Sequence, residues 1–413
     1  MTERDTELQR LLASAPRRRL TRRDLLRQMG AGAGALSLGA WLAACGVSGT
    51  DENGGNGGAG AEEDGLTTTE QNGELRFANW PLYIDRAKGR RPTIDDFEKA
   101  TGIKVQYKEV IDDNESFFGT IREPLASGQA VPWDIIVVTD WLIAKMVRLG
   151  YLEELDHELI PNFTANAGQV YKDPEYDPGN THSVPWQSGI TGIGYNPRLT
   201  GRKITSFEDL FDPAFEGKVG MFTEMRDTMN LTLLGLGIDP QQATNDDAAL
   251  AQEKLLEQRE KGIVRQYYGN EYADALVRED LWLTMAWSGD VFQLKFDKPE
   301  LEFVVPKEGG ILWVDNMAIP QNAANPIDAM AFMDYVYDPE VAAQITAWVN
   351  YICPVPAAQE ILKEADDAYT RTVAKSPLVF PTPEMESLLH HYKDLDEEDE
   401  EVWNDLFGEV IQG

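Results

Sequence analysis

The sequence predicts an α/β fold whose sheet contains parallel strands. The first observation is that strand patterns and helical patterns alternate from residue 74 onward, as they do where helices connect parallel strands. The second is the apolar run at 134–138, which is typical of a short strand covered on both faces. The third is length, because 413 residues are enough for two domains with cores of their own.

The elements of this stretch follow from hydrophobic spacing and from glycines. Alternation at 75–79 predicts a first strand that ends at Trp80. Apolar residues at helical spacing over 94–100 predict a helix, and Gly102 is placed to end it. The next elements are predicted to be a strand at 104–110, a helix at 114–127, a strand at 134–138 and a helix at 141–149 closed by Gly150.

Two groups of polar and aromatic residues come directly after predicted strands. Trp80 and Tyr83 follow the first strand, and Thr139 and Trp141 follow the strand at 134–138. Ligands of open α/β sheets bind beyond the carboxyl ends of the strands. We therefore expect these residues at a binding site, although Thr139 could instead cap the following helix.

The charge of the chain is strongly negative and unevenly placed. The formal net charge is −33, which argues against nucleic-acid binding, because phosphate recognition needs a basic face. Residues 1–44 contain eight Arg and four acidic residues, so this segment is +4 and the remainder is −37. The acidic body is compatible with a cationic ligand and equally with a saline habitat.

The basic leader has the features of an export signal. The motif TRRDLLR at 21–27 is typical of a twin-arginine (Tat) signal, and an uncharged Gly/Ala/Leu stretch follows at 29–44. The sequence LAAC at 42–45 resembles a lipobox, in which Cys45 receives the lipid. The alternative is an ordinary secretory signal with an incidental Cys. We predict a lipoprotein anchored on the outer side of a membrane.

The residues that follow Cys45 are predicted to form a flexible tether, and the thiol of Cys353 is predicted to have no chemical role. The stretch 46–73 is rich in Gly, Asn and Glu and cannot bury apolar area. Cys353 is the only other cysteine, so with Cys45 lipidated no intramolecular disulfide forms. We expect Cys353 to be a packed small residue, and two cysteines are too few for a zinc site of the usual ligand count.

Four segments of the folded body carry a resemblance to a known family. They are NWPLY at 79–83, FEKATGIKV at 97–105, SVPW at 183–186 running into GITGIGYN at 189–196, and PKEGG at 306–310 leading to WVDNMAIP at 313–320. These segments resemble the spermidine/putrescine-binding proteins of bacterial ABC importers. The resemblance extends from about residue 74 to residue 381.

The resemblance implies a type II periplasmic-binding-protein fold, with two α/β lobes joined by crossing strands and a ligand cleft between them. It also implies a monomer that delivers its ligand to permease subunits with a separate ATPase. The predicted organisation is a Tat lipoprotein signal at 1–44, the lipidated Cys and linker at 45–73, one lobe at 74–188 plus 313–360, and a second lobe at 189–312 plus 361–413.

A polyamine needs carboxylates for its ammonium groups and flat apolar walls for its methylenes. By resemblance, Asp315 is the principal amine anchor, and Glu224, Asp227 and Asp290 are carboxylates for a second amine. Thr139 could add a hydroxyl acceptor. The aromatic walls are predicted to be Trp80, Tyr83, Trp141, Trp287, Trp313 and Tyr351. A polar contact near the C-terminus does not align, and His390, His391 or Tyr392 could supply it.

Three other functions stay open from the residues. Paired carboxylates with aromatic walls also describe glycosidases, but the lobed resemblance favours a binding protein over an enzyme. The sequence also has no GxSxG motif of the serine hydrolases. The same fold could bind ferric iron through Tyr267 and Tyr268, or a quaternary ammonium compound. No cofactor is expected, and the absence of a GxxxxGK[ST] loop is consistent with an ATPase on other subunits.

Overall fold

The computed structural model describes residues 70–111, 113–296 and 298–412. The export signal, Cys45 and the greater part of the linker lie outside these residues, so the expectations for them stay predictions. Within the part of the chain that is described, no helix combines the length and the apolar character needed to cross a bilayer.

The described chain alternates strands and helices throughout. The strands are β1 (Glu74–Asn79), β2 (Lys104–Glu109), β3 (Ile135–Thr139), β4 (Ser183–Tyr195), β5 (Val219–Phe222), β6 (Val264–Tyr268), β7 (Leu283–Trp287), β8 (Glu302–Val304), β9 (Gly310–Ala318) and β10 (Leu389–His390). The helices are α1 (Pro92–Thr101), α2 (Asn114–Ala126), α3 (Asp140–Arg148), α4 (Pro161–Asn166), α5 (Pro197–Thr200), α6 (Met225–Gly235), α7 (Asn245–Glu260), α8 (Tyr272–Val277), α9 (Ser288–Leu294), α10 (Pro326–Val336), α11 (Pro339–Val349), α12 (Ala358–Lys363), α13 (Ala368–Lys375), α14 (Pro383–Glu386) and α15 (Glu397–Gln412).

The first elements form as their sequence predicts. Gly102 ends α1 in the left-handed conformation (φ 82°), and its N–H donates to the Glu98 carbonyl at 2.9 Å. This backbone region is open to glycine without a steric penalty. Asp113 caps α2 by accepting a hydrogen bond from the Ser116 N–H at 2.8 Å. Every residue of β3 is buried, which confirms the strand predicted to be covered on both faces.

The strands form one ten-stranded sheet with the order β2-β1-β3-β9-β4-β7-β5-β6, to which β10 adds beside β9 and β8 beside β4. On one flank β1 runs parallel to β2 and β3, and on the other β5 runs parallel to β6 and β7. Each flank therefore has the parallel arrangement that strand–helix alternation predicts. The two central strands depart from it, because β9 is antiparallel to both β3 and β4.

The strands β4 and β9 connect the two flanks. The end of β9, from Asp315 to Ala318, pairs with β3, and the end of β4, from Thr191 to Tyr195, pairs with β7. In between, β4 and β9 pair with each other over most of their length. These are the crossing strands expected of a two-lobed fold, and residues near their shared centre are placed at the junction of the flanks.

The core continues across the centre of the sheet. Trp186 of β4 is 2% exposed and packs against Phe77 and Phe332 with ring centroids 6.0 and 6.5 Å apart. Its indole N–H donates to the Tyr83 carbonyl at 3.1 Å. Cys353 is buried, and burial raises the pKa of its thiol to about 11, as expected of an inert packed residue.

Candidate functional site

Asp315 lies at the centre of the sheet and is held by neutral donors. The Tyr83 hydroxyl donates to one carboxylate oxygen at 2.9 Å, and the Thr139 hydroxyl donates to the other at 2.7 Å. Thr139 in turn accepts a hydrogen bond from the Asn114 amide at 2.8 Å, and it forms no capping hydrogen bond at the start of α3. Burial raises the pKa of Asp315 to about 6, while these hydrogen bonds oppose the rise.

Asp227 is a second buried carboxylate, in the first turn of α6. It accepts hydrogen bonds from the hydroxyls of Thr191 (2.5 Å) and Tyr392 (2.8 Å) and from the indole N–H of Trp287 (3.2 Å). Burial raises its pKa, and the three donors oppose the rise. Of the three C-terminal residues considered from the sequence, Tyr392 is thus placed directly on a predicted site carboxylate.

Asp290 is the third predicted carboxylate, and it is also buried. The Tyr272 hydroxyl donates to one of its oxygens at 3.0 Å, and the Tyr351 hydroxyl donates to the other at 2.9 Å. The Tyr272 hydroxyl also accepts the backbone N–H of Trp287 at 3.1 Å. These bonds fix Asp290 between the predicted Tyr351 and Tyr272, which was not predicted.

Glu224 directly precedes α6 and is only half-buried. Burial raises its pKa to about 8, and the charges of Asp227 and Asp113 add to the rise. Its side chain makes no capping hydrogen bond to the helix. A carboxyl in this setting is mostly protonated at neutral pH, and a cation placed beside it would favour its ionised form.

Several predicted aromatic residues pack against one another around Asp315. The Tyr351 ring meets Tyr83 edge to face, with centroids 5.6 Å apart, and lies 5.5 Å from the Trp313 ring. Two glycines make room for these rings: a Cβ on Gly189 would lie 2.3 Å from Trp313, and one on Gly289 would lie 2.7 Å from Tyr351. The glycines are therefore required by close approach of the rings.

Two further tryptophans are half-buried and fixed through their indole N–H groups. Trp80 donates to the Val137 carbonyl at 2.9 Å, and Trp287 donates to Asp227. The Trp287 ring also packs on Phe222, with centroids 4.5 Å apart. Both rings keep part of their surface open while their orientation is set by the protein.

Trp141 contacts a protein cation. The Arg226 guanidinium lies 4.6 Å from its ring centroid, and the same guanidinium pairs with Glu400 at 3.1 Å. Glu400 also pairs with Lys145 at 3.0 Å. The sequence predicts that the acidic run at 394–401 is a solvated helix face, and the run is mostly exposed, but Glu400 departs from that prediction because it is buried in this ion-pair network.

The electrostatic balance of the site is negative. Among the residues that the structure describes, no Lys or Arg forms an ion pair with Asp315 or Asp227, and Asp227 contributes to the raised pKa of Asp315. Arg226, the neighbour of Asp227 in the chain, is engaged by Glu400 instead. Buried carboxylates are costly unless a cation accompanies them. The arrangement therefore favours a cationic ligand.

The tyrosine pair considered for ferric iron does not form a paired site. Tyr267 and Tyr268 are consecutive residues of β6, and consecutive side chains of a strand point to opposite faces. Tyr267 packs against Phe407 of α15, with centroids 6.2 Å apart. Nor do the described residues contain a group of three or more His, Cys, Asp or Glu side chains placed to hold a metal ion.

With this geometry in place, comparison with known proteins identifies the family. The family described as bacterial extracellular solute-binding protein matches residues 93–379. The chain belongs to this family. The match confirms that the chain is a solute-binding protein of a transport system rather than an enzyme, and that it is extracytoplasmic.

Individual solute-binding relatives agree with the predicted resemblance. The spermidine/putrescine-binding periplasmic protein 1 of Haemophilus influenzae is 29% identical, over 85% of this chain and 89% of its own. The putrescine-binding periplasmic protein SpuD of Pseudomonas aeruginosa is 28% identical, over 80% and 90%. The solved spermidine/putrescine ABC transporter substrate-binding protein PotD of Streptococcus pneumoniae superimposes with a TM-score of 0.69 at 27% identity, over 82% and 98%. The type II two-lobed fold is thereby confirmed.

Sequence reasoning missed three of the groups that support the carboxylates of this solute-binding protein. Thr191 and Tyr272 donate their hydroxyls to Asp227 and Asp290, and the Asn114 amide donates to Thr139. Of the three, only Thr191 falls within a segment that carried the resemblance. Asp140 was also missed. It is buried and accepts hydrogen bonds from the backbone N–H groups of Trp141 and Val314 at 2.7 and 3.0 Å. Burial raises its pKa to about 8, and the charge of Asp315 adds to the rise.

Proposed function

We propose that this chain captures a polyamine, spermidine or putrescine, outside the cytoplasm and delivers it to the permease of an ABC importer whose ATPase is a separate subunit. The relatives named for polyamine binding support this ligand class. The observation that carries the proposal is the pair of buried carboxylates, Asp315 and Asp227, which accept hydroxyl and indole donors but pair with no Lys or Arg of the described chain.

A polyamine supplies the positive charge that Asp315 and Asp227 lack. Each ammonium of a polyamine brings a positive charge and N–H donors, so it converts a costly buried carboxylate into a charge-assisted hydrogen bond. The methylenes between the ammonium groups need apolar walls, and aromatic faces attract the cationic ends by about 0.5–2 kcal/mol each. The aromatic groups around Asp315 and Asp227 provide such walls.

In this proposal Asp315 fixes one ammonium, and the tyrosine and threonine hydroxyls orient its oxygens. A second ammonium is held by carboxylates from the other flank of the sheet, namely Glu224, Asp227 and Asp290. The walls are formed by Trp80, Tyr83, Trp141, Trp287, Trp313 and Tyr351, and Thr139 adds a hydroxyl.

Capture also needs closure of the cleft over the ligand. We propose lobes at 74–188 plus 313–360 and 189–312 plus 361–413. The contact of Arg226 with Trp141 and the pairing of Glu400 with Lys145 link these two lobes, while Glu400 also pairs with Arg226 within the second lobe. These contacts would form on closure and hold the cleft shut until the protein docks, as a monomer, on its permease.

Calorimetric titration tests the ligand class directly. We expect the purified protein to bind spermidine or putrescine with micromolar or tighter affinity, about −8 kcal/mol or more favourable. Glycine betaine, a zwitterionic quaternary ammonium compound, serves as the quaternary ammonium comparison and is expected to bind far more weakly. Absence of heat with every polyamine at moderate salt would refute the proposal, and tight binding of the betaine alone would assign the site to quaternary ammonium ligands.

We also propose that Cys45 carries a lipid that anchors the protein, with residues 46–73 as a tether. The expected result of Cys45→Ser in a bacterial host is that the exported protein moves from the membrane fraction to the soluble extracytoplasmic fraction, because a single residue carries the acyl chains. Fractionation and labelling with a radioactive fatty acid measure this. Cys353→Ser is the control and should stay in the membrane fraction. Continued membrane association of the Cys45 variant would contradict the anchor.

A further inference from the structure

Gln187 continues a row of side chains that crosses the centre of the sheet. Thr139 of β3 and Gln187 of β4 are both in register with Asp315 of β9, one on each side of it. Residues directly opposite in antiparallel strands project to the same face, with Cβ atoms about 4.5–5.5 Å apart. Gln187 therefore lies next to Asp315, on the side away from Thr139.

The amide of Gln187 is buried and its oxygen is unused. The residue is 3% exposed, and its Oε1 has no hydrogen-bond partner among the described residues. Buried polar groups are nearly always paired, and an unpaired acceptor is costly. Thr139, in contrast, already donates its hydroxyl to Asp315. Of the two neighbours of Asp315 in this row, only Gln187 has an acceptor that the protein leaves free.

A β-bulge places Gln187 in this position. The register between β4 and β9 shifts between Pro185 and Gln187, which inserts Trp186 as the extra residue. Trp186 packs into the core and donates its indole N–H to the Tyr83 carbonyl. Bulges re-aim side chains near functional sites. Here the bulge directs a large ring into the core and returns the next residue to register with Asp315.

We propose that Gln187 is a specificity-determining residue of the polyamine site: its Oε1 accepts an N–H of the ammonium group that Asp315 holds. The inference rests on the proposed function and deepens it. A carboxylate attracts any cation, whereas an amide oxygen favours only a cation that keeps N–H donors. A fully methylated ammonium would leave Oε1 unpaired in a closed site. Gln187 thus selects primary and secondary amines against quaternary ones.

The test compares two ligands that differ only in N–H donors: putrescine and its fully N-methylated analogue with the same four-carbon chain. Gln187→Met keeps a long unbranched side chain without an acceptor, and Gln187→Glu keeps an acceptor oxygen. We expect Gln187→Met to weaken putrescine binding by about tenfold and to leave the affinity for the methylated ligand unchanged. The ratio of the two affinities therefore falls by the same factor. We expect Gln187→Glu to retain tight putrescine binding.

Thermal unfolding of the ligand-free variants separates a ligand contact from a structural role. Gln187→Met removes an unpaired buried acceptor, so it should leave the melting temperature unchanged or raise it. Equal weakening of both ligands, or unchanged putrescine affinity in Gln187→Met and Gln187→Glu, would overturn the inference while the proposed function stands. Failure of the unsubstituted protein to bind putrescine or spermidine would overturn the proposed function and this inference with it.

Discussion

Replacing Asp315 by Asn should lower polyamine affinity by a factor between about a hundred and several thousand. The substitution keeps the shape of the side chain but removes the charge that the ammonium needs. Removing one partner of a buried ion pair costs about 3–5 kcal/mol, which corresponds to this range of dissociation constants. Titration calorimetry of the two proteins with the same polyamine measures it. Affinity within a factor of about three of the unsubstituted protein would remove Asp315 from the ligand contacts.

The same substitution, which weakens ligand binding, should stabilise the ligand-free protein against unfolding. Burial raises the pKa of Asp315 to about 6 from its usual 3.8, so the unfolded chain loses this proton more readily than the folded chain. The resulting loss of folding stability is absent below pH 4, grows between pH 4 and 6, and is fully present above pH 6. A shift of about two pKa units corresponds to at most about 3 kcal/mol. We therefore expect Asp315→Asn to increase the free energy of unfolding at pH 7.5.

A matched control is a buried aspartate away from the site. Asp134 is fully buried and pairs with Arg76 at 2.7 Å. Asp134→Asn leaves Arg76 without its carboxylate, so it should lower the free energy of unfolding and leave polyamine affinity unchanged. The two substitutions are chemically identical but are expected to change stability in opposite directions. Asp134 is paired with a protein cation, whereas Asp315 is proposed to pair with a cation only when the ligand binds.

The parts of the fold that the sequence predicts correctly are those specified by short-range pattern. The elements from β1 to α3 follow from hydrophobic spacing and from Gly102, whose left-handed backbone ends α1. The antiparallel centre could not be predicted in this way. The pairing of β4 with β9 joins residues more than a hundred positions apart, and neither strand's own sequence specifies its partner.

The same distinction holds within the candidate site. The carboxylates and tryptophans lie in motifs that a family resemblance can transfer, and Asp315, Asp227 and Asp290 are all found buried and hydrogen-bonded. The hydroxyl donors that were missed, Thr191 and Tyr272, carry no local signal, because a tyrosine or threonine hydroxyl is as common in ordinary packing. The bond from Tyr392 to Asp227 spans 165 positions and depends on where the C-terminal segment crosses the second flank.

Affinity for a polyamine should fall as the pH is lowered from 8 to 5. The ligand's amines stay protonated over this range, so the change comes from the protein. Below pH 6 the free protein holds a proton on Asp315 that must leave before the ammonium binds, which weakens binding about tenfold per pH unit. Because the pKa of Glu224 is about 8, affinity would also fall with decreasing pH between pH 8 and 6 if Glu224 contacts the ligand.

The slope between pH 8 and 6 therefore decides the role of Glu224. If Glu224 is ionised in the complex, the affinity should fall by up to about a hundredfold over these two units, with one proton released per ligand, and Glu224→Gln should abolish both effects. Titrations in buffers of different ionisation enthalpy count the released protons. A flat profile down to pH 6.5 would exclude Glu224 and assign the second ammonium to Asp227 or Asp290, whose hydrogen bonds to Trp287 and Tyr351 already orient them toward the aromatic walls.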